Sequence, residues 1–315
     1  MQSNRAGRPP RERGRSARER GKPTREGQIM DFLPVCCDRF AFETMRRAAM
    51  HLETPAGLIE GAVAIARHEM PDASPEPVKQ QLFDLARDLR ARVRGEQPQA
   101  LVAHLHDLLF EQQGFIGNTL NYHDPANSYL PSVLETRRGL PITLSLVYKI
   151  VGERAGLDIR GIGLPGHFCA GVDMGDGLDP MIVDTFYSGR LLNHADALER
   201  MRDTYGPHVE WSDDLLKPVT HRHWLTRLMQ NLLHTFSEKD RLTDVAAMLE
   251  LELVLWPEQT HLQRDLALVL ARVGMAEPAS RWLGTYLEGN PDDPQRDDLE
   301  QLLVVLAPRK LRRAS

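Results

Sequence analysis

The sequence predicts an α+β fold: a helical N-terminal part, a central helix on a small antiparallel sheet, and an all-helical C-terminal part. Three observations predict it. Apolar residues recur at three- and four-residue spacing from about 35 to 113, the period changes to short strand-like runs between 159 and 186, and a helical period returns over roughly the last ninety residues, repeated every 34. The 315 residues suffice for about two domains with sizeable cores. An apolar fraction of 42% and a charged fraction of 26% are those of a globular chain that folds in water. No stretch reaches the ~20 uninterrupted apolar residues of a membrane helix.

The chain opens on MQSNRAGRPPRERGRSARERGKPTREG, which offers charge, Gly and Pro but almost nothing to bury, so residues 1–30 are predicted to be a disordered basic arm. Residues 1–26 hold nine Arg or Lys against three Glu, and the basic tail 308–315 adds four basic residues and no acid. The net charge of −5 therefore conceals a body from 31 to 307 with 26 basic and 41 acidic residues. Such a body repels phosphate backbones, and nucleic-acid contact is expected only through the basic extensions, the N-terminal arm above all. Asp31 interrupts Ile29 to Val35, the nearest apolar run, so the arm does not read as a signal peptide. Three cysteines, Cys36, Cys37 and Cys169, make no disulfide framework, and a reducing cytoplasm is expected.

Leu58, Ala62, Ile65 and Ala66 form the first helical stripe, Leu82, Leu85, Leu89 and Val93 the next, and Leu101, Leu105, Leu108 and Leu109 a third. Pro71, Pro75, Pro77 and Pro98 fall where such helices begin or end. Residues 114–139 are dense in Asn, Gly, Pro and Asp and read as turns and ordered loop. A helix is predicted from Pro141 to Arg154, with Leu144, Val147, Tyr148 and Val151 as its stripe and Gly156 beyond its end. Strands follow over Ile159 to Leu164, His167 to Asp173 and Met181 to Phe186. If Asp176-Gly177 forms a two-residue turn, facing residues sum to 353. Cys169 then faces Asp184, His167 lies one pair further on the same face, and Phe168, Ala170 and Val172 point into the core. His167 and Asp184 become diagonal neighbours, roughly 7 Å apart at Cα, within reach of a His to carboxylate hydrogen bond.

At the C-terminal end, Trp256-Pro257 and Asn290-Pro291 are 34 residues apart, as are Asp240 and Gly274, Leu249 and Leu283, and Phe236 and Leu270. That period is the one of tetratricopeptide helix pairs, here 226–259 and 260–293 with a closing helix Pro294 to Leu306; a plain helical bundle is the alternative. The predicted organisation is a core over 31–215 and tetratricopeptide-like repeats over 216–307. The apolar face of the repeats exceeds what one helix pair can cover, so they are expected to dock on the core with Trp224 or Trp256 buried.

The runs DPANSYLPSVLETRRGLPITLSLVYKIVGERAGL, GIGLPGHFCAGV and VDTFYSGRLL carry Asn127-Ser128, Arg137, Gly139-Leu-Pro-Ile, Pro165-Gly-His-Phe and Asp184-x-Phe-x-x-Gly189 in order. This series resembles the SirB family, whose transglutaminase-like (papain-like) core is joined to C-terminal tetratricopeptide-like repeats, and the resemblance covers about 35 to 307. It implies a triad built from a Cys at a helix N-terminus, a His and an Asp on successive strands, in which helix-end potential and imidazole stabilise a thiolate. By that resemblance the His is His167 and the Asp is Asp184. The nucleophile is absent, because Leu140, Pro141, Ile142 and Thr143 occupy the helix start; members of the family generally lack that Cys.

The reading that follows is a non-catalytic protein-interaction or regulatory module with a protein partner, no cofactor and no metal. The alternative is a hydrolase or acyltransferase using Thr143, Ser145 or Cys169 with His167 and Asp184. His167 and Asp184 are equally accounted for as a buried structural pair or as the remnant of a binding pocket. Asn118, Asn121, His123, Asp124, Asn127, Ser128 and Arg137 either line the cleft or satisfy the backbone of a long loop. His104 with His106 and His221 with His223 sit two apart on helical stretches and diverge, so neither pair reads as a metal site.

Overall fold

The computed structural model describes residues 32–307 apart from 96, 176 and 178. The predicted arm 1–30, the tail 308–315 and Asp176 of the predicted hairpin turn lie outside the described residues. Helices α1 (Arg39–Ala49), α2 (Pro55–Ala66), α3 (Pro75–Arg92) and α4 (Pro98–His106) open the described chain. The last three each begin on proline, whose missing N–H has no helical partner to lose and whose φ suits a first turn. The segment read as loop contains more structure than predicted: strands β1 (Ile116–Gly117) and β2 (Arg138–Gly139) pair in parallel, and a short helix α5 (Leu130–Thr136) lies between them. Burial of Leu130, Val133 and Leu134 drives α5, and Arg137 at φ 62° ends it.

The central helix α6 (Pro141–Arg154) has the predicted bounds, and Gly156 with φ 107° turns the chain out of it. The single predicted stripe understates its burial. Every residue from Pro141 to Gly152 is buried, because α3, α4 and α5, the main sheet and the C-terminal helices all pack against it. That sheet is antiparallel throughout, built from β3 (Ile159–Ile162), β4 (Cys169–Val172), β5 (Met181–Asp184), β6 (Arg190–Leu192) and β7 (Pro218–Val219) in the order β6-β5-β4-β3-β7. Ala170 faces Val183 and Gly171 faces Ile182, the register expected from the hairpin reading. The strands are shorter than predicted, so His167 lies on the approach to β4 rather than on it. Phe168, Ala170, Val172 and Val183 join the core around α6, while Ile162, Cys169, Ile182 and Leu192 pack on the opposite side with Ala197 and Met201 of helix α7 (His194–Tyr205).

The C-terminal helices are α8 (His221–Glu238), α9 (Leu242–Leu255), α10 (Thr260–Arg272), α11 (Ala276–Gly289) and α12 (Arg296–Leu306). Helices α9 and α11 start and end 34 residues apart. The turns before them repeat as well: Asp240 and Gly274 have φ of 52° and 81°, and the N–H groups of Arg241 and Met275 donate to Phe236 O and Leu270 O, each at 2.9 Å. Helix α8 is built into the core. Trp224 is fully buried, donates its indole N–H to Ile142 O at 3.2 Å and packs 4.6 Å from Phe168. One apolar cluster runs from Cys37 to Leu299 without a break between the two halves.

Glu252 on α9 is 4% exposed, and burial pushes its carboxyl up from 4.5 to about 7. The folded chain therefore binds that proton more tightly than the unfolded one, and stability gains as pH falls from about 7 to about 4.5. Relative to Glu252→Gln, the wild type is expected to gain at most about 3 kcal/mol across that range. Burial pushes His106 down to about 4, which acts in the opposite sense but cancels in the difference between the two proteins. Urea denaturation of both at pH 8 and pH 5 checks this; a difference that does not change with pH would show Glu252 to be solvated.

Candidate functional site

A cleft opens at the N-terminal end of α6, with two lobes of about 220 and 210 Å³ that share Tyr122, Pro141, Gly166 and His167 as walls. His167 is delivered by a tight turn in which Gly166 has φ 67° and the His167 N–H donates to Leu164 O at 3.2 Å. Arg227 of α8 holds the same turn from behind, donating to Leu164 O and His167 O, both at 3.1 Å, with its guanidinium over the Phe168 ring. Asp184 ends β5 and is fully buried; its Oδ1 accepts the Phe186 N–H at 3.2 Å. Its Oδ2 lies 3.0 Å from His167 Nε2, a contact of the expected pair, although the imidazole N–H is not aligned on the oxygen as a hydrogen bond. Arg200 Nε reaches the same oxygen at 3.2 Å while the guanidinium stacks on Tyr187. The buried carboxylate thus meets the guanidinium of Arg200, an arginine the sequence reading did not single out, on one side and the His167 ring on the other.

Among the described residues, no Ser, Thr or Cys side chain lines the cleft beside His167. Thr143 is buried and donates to Asn127 O at 2.9 Å, and Ser145 is buried and bonded to the Thr185 hydroxyl at 2.9 Å. Neither hydroxyl lines the cleft. Cys169 is fully buried among Ile162, Ile182 and Leu192. Burial first, and the Asp184 charge second, push its thiol far above the ordinary range, with Arg200 opposing. The residue of α6 that lines both lobes beside His167 is Pro141.

The loop residues proposed for the cleft do other work. Asn118 donates to Asn127 Oδ1 at 2.9 Å, and Asn127 in turn donates to Asn121 O at 2.6 Å and Tyr122 O at 3.0 Å. Ser128 is buried in the turn Pro125–Ser128. Arg137 lies over the Phe115 ring at 4.8 Å and donates to Leu134 O and, at 3.3 Å, to Gln113 Oε1. None of the four lines the cleft. The physical reason is that a loop folded against α6 buries peptide groups that must find partners, and side-chain amides supply them. The wiring of Asn127 does, however, set Tyr122 over the cleft.

Sequence reading missed Tyr122, Tyr187, Arg200, Asp203, Arg227 and Asn231 as wall residues. One local signal was present: Asn193 and Asp196 form a reciprocal cap at the start of α7, the helix that carries Arg200 and Asp203. His106 contacts the Tyr148 hydroxyl at 3.0 Å and His221 contacts Leu52 O at 2.8 Å, so these two serve packing.

A transglutaminase-like superfamily domain matches residues 76–230, from α3 into α8, and so includes His167, Asp184 and Arg227. The UPF0162 protein of Xylella fastidiosa is 32% identical over 262 residues, covering 81% of this chain and 91% of its own. The chain belongs to the UPF0162 family. A second UPF0162 protein, from Pseudomonas aeruginosa, is 27% identical over 259 residues, 80% of this chain and 86% of that one. Human F-box only protein 21 is 28% identical over 176 residues, which are 53% of this chain but 27% of that longer protein. No solved structure matches. In this UPF0162 chain the core keeps a His and an Asp in contact at a cleft, and it places a proline where α6 meets that cleft. Such a site can bind and hydrogen-bond a ligand. Among the described residues, no helix is long and apolar enough to cross a membrane.

Proposed function

We propose that the protein is a SirB-type, non-catalytic transglutaminase-like module of the bacterial cytoplasm, which binds a segment of a partner protein in the His167 cleft. Pro141 carries this reading: the residue of α6 that lines both lobes with His167 has no thiol, no hydroxyl and no N–H, and Ile142, which joins it in one lobe, has an apolar side chain. The hydroxyls of Thr143 and Ser145 and the thiol of Cys169 are buried and line neither lobe, which supports binding over a hydrolase or acyltransferase built on those three groups. The cleft walls combine the aromatic rings of Tyr122 and Tyr187 with the charged heads of Arg200 and Arg227, a mixture suited to an extended peptide with polar or acidic side chains. The 34-residue offset of α9 and α11 supports tetratricopeptide-like helix pairs as a second interaction element. The match of about half of this chain to a minor part of F-box only protein 21 supports a module that works joined to other parts.

The test combines chemistry with binding. Cys169 is expected to resist iodoacetamide near neutral pH, and the protein to release nothing from glutamine-amide or thioester reporters. A partner recovered from the native bacterium on the wild type should be lost on Asn231→Trp, which fills one lobe from an exposed position. Rapid alkylation of Cys169 at pH 6, slowed by His167→Ala and accompanied by loss of a measurable hydrolysis, would overturn the reading in favour of an enzyme.

A further inference from the structure

We propose that His123, His234 and Glu238 form a binding site for a divalent transition-metal ion of the zinc type on the rim of the cleft. This site goes beyond the peptide-binding reading and does not depend on it. One ligand atom from each of the three side chains lies within 4.8 Å of the others, and among the described residues no other set of three His, Cys, Asp or Glu side chains comes together so closely. Two of them stand one helical turn apart on the exposed face of α8, with His234 Nε2 3.4 Å from Glu238 Oε1. The third arrives from the loop before α5, its ring centroid 6.2 Å from that of His234. Metal-ligand bonds of about 2.0 to 2.2 Å in tetrahedral geometry put ligand atoms roughly 3.3 to 3.6 Å apart, so closure asks for side-chain movements of about an ångström. All three residues are exposed and have room for it.

The backbone beneath the site is already held. Lys239 Nζ donates to His123 O at 3.2 Å, and the Asn127 amide holds the carbonyls of Asn121 and Tyr122 just before it. Loop and helix are therefore presented to each other before any ion binds, which lowers the ordering cost that an exposed two-segment site would otherwise carry. Two imidazoles and one carboxylate suit zinc, cobalt, nickel or copper rather than magnesium or calcium, which prefer oxygen alone. The fourth position faces solvent and is left to water. The ammonium of Lys239 beside the site reduces the net negative charge and keeps the expected affinity moderate. An ion held here clamps the loop to α8, and because Tyr122 precedes His123 and walls both lobes, it stiffens the cleft.

The experiment titrates Zn2+ into the tag-free full chain against a chromophoric chelator, alongside His123→Ala, His234→Ala, Glu238→Gln and, as a control, His261→Ala, an exposed histidine at the start of α10. The expected result is one ion per chain, an affinity weakened about tenfold or more by each of the three ligand substitutions, and no change in the control. All four substitutions are at the surface, and circular dichroism confirms that each variant is folded. Absence of saturable binding by the wild type would overturn the site. So would binding that survives His123→Ala, which would place the ion on the helix alone, or binding weakened equally by His261→Ala.

Discussion

Trp224→Ala is expected to destabilise the protein by about 3 to 5 kcal/mol, the range for removing a fully buried large aromatic side chain. The indole fills the junction of three elements. Its N–H satisfies Ile142 O at the start of α6, and its ring lies against Phe168 beside the sheet. A Cβ on Gly161 would come within 2.6 Å of the same ring and 2.7 Å of Phe168, so β3 passes close to Trp224 on a residue without a side chain. Alanine at 224 leaves a cavity at the floor of the cleft and removes a hydrogen bond to Ile142 O. The core and the C-terminal helices share one apolar cluster, so the loss should appear as one earlier transition in chemical denaturation, with fluorescence and circular dichroism coinciding. Two separated transitions, or a loss below about 1 kcal/mol, would show that α8 is not part of the core's cooperative unit.

Glu250→Ala is the second large effect, roughly 3 to 5 kcal/mol, because it takes the acceptor from three backbone N–H groups at once. Glu250 is fully buried on α9, and its carboxylate accepts the N–H groups of Val35, Cys36 and Cys37 at 2.7, 3.0 and 2.6 Å. Desolvation pushes its carboxyl up despite these three donors, so the contact persists only while the segment before α1 stays in place. Phe32, packed edge-on against Trp282 at 4.6 Å, is the other anchor of that segment. Alanine takes the acceptor from three N–H groups, of which that of Cys37 is buried. The variant should therefore be cut by a nonspecific protease between residues 32 and 38 well before the rest of the chain. An unchanged cleavage pattern with unchanged denaturation midpoint would show that the segment is held by its apolar contacts alone.

The parts of the fold that were legible rest on neighbours close in the chain. The bounds of α6 follow from Pro141 and Gly156, the hairpin register follows from alternation on either side of a turn, and the 34-residue offset follows from matched turns and apolar positions. Helix α5 and strands β6 and β7 escaped notice because each is only a few residues long, and the contacts that hold it come from elsewhere in the chain. The C-terminal part, read as starting at 216, contributes β7 to the sheet edge and Trp224 and Arg227 to the core and cleft.

What the sequence by itself determined is the order of the longer helices and of the three central strands, the approach of His167 to Asp184, and the lack of a thiol at the start of α6. Each of these is written in residue identity or in periods of two, three and four residues. Only the tertiary structure decided which side chains face the cleft. Tyr122, Pro141, His167, Arg200 and Arg227 come from a loop, a turn and three helices spread over more than a hundred residues, and no periodicity links them. The loop asparagines turned inward because buried peptide groups had to be paired, and the hydroxyls of Thr143 and Ser145 were spent in the same way. Such competition between a ligand and the backbone for polar side chains is settled by burial, which is a property of the packed whole and not of any local stretch of chain.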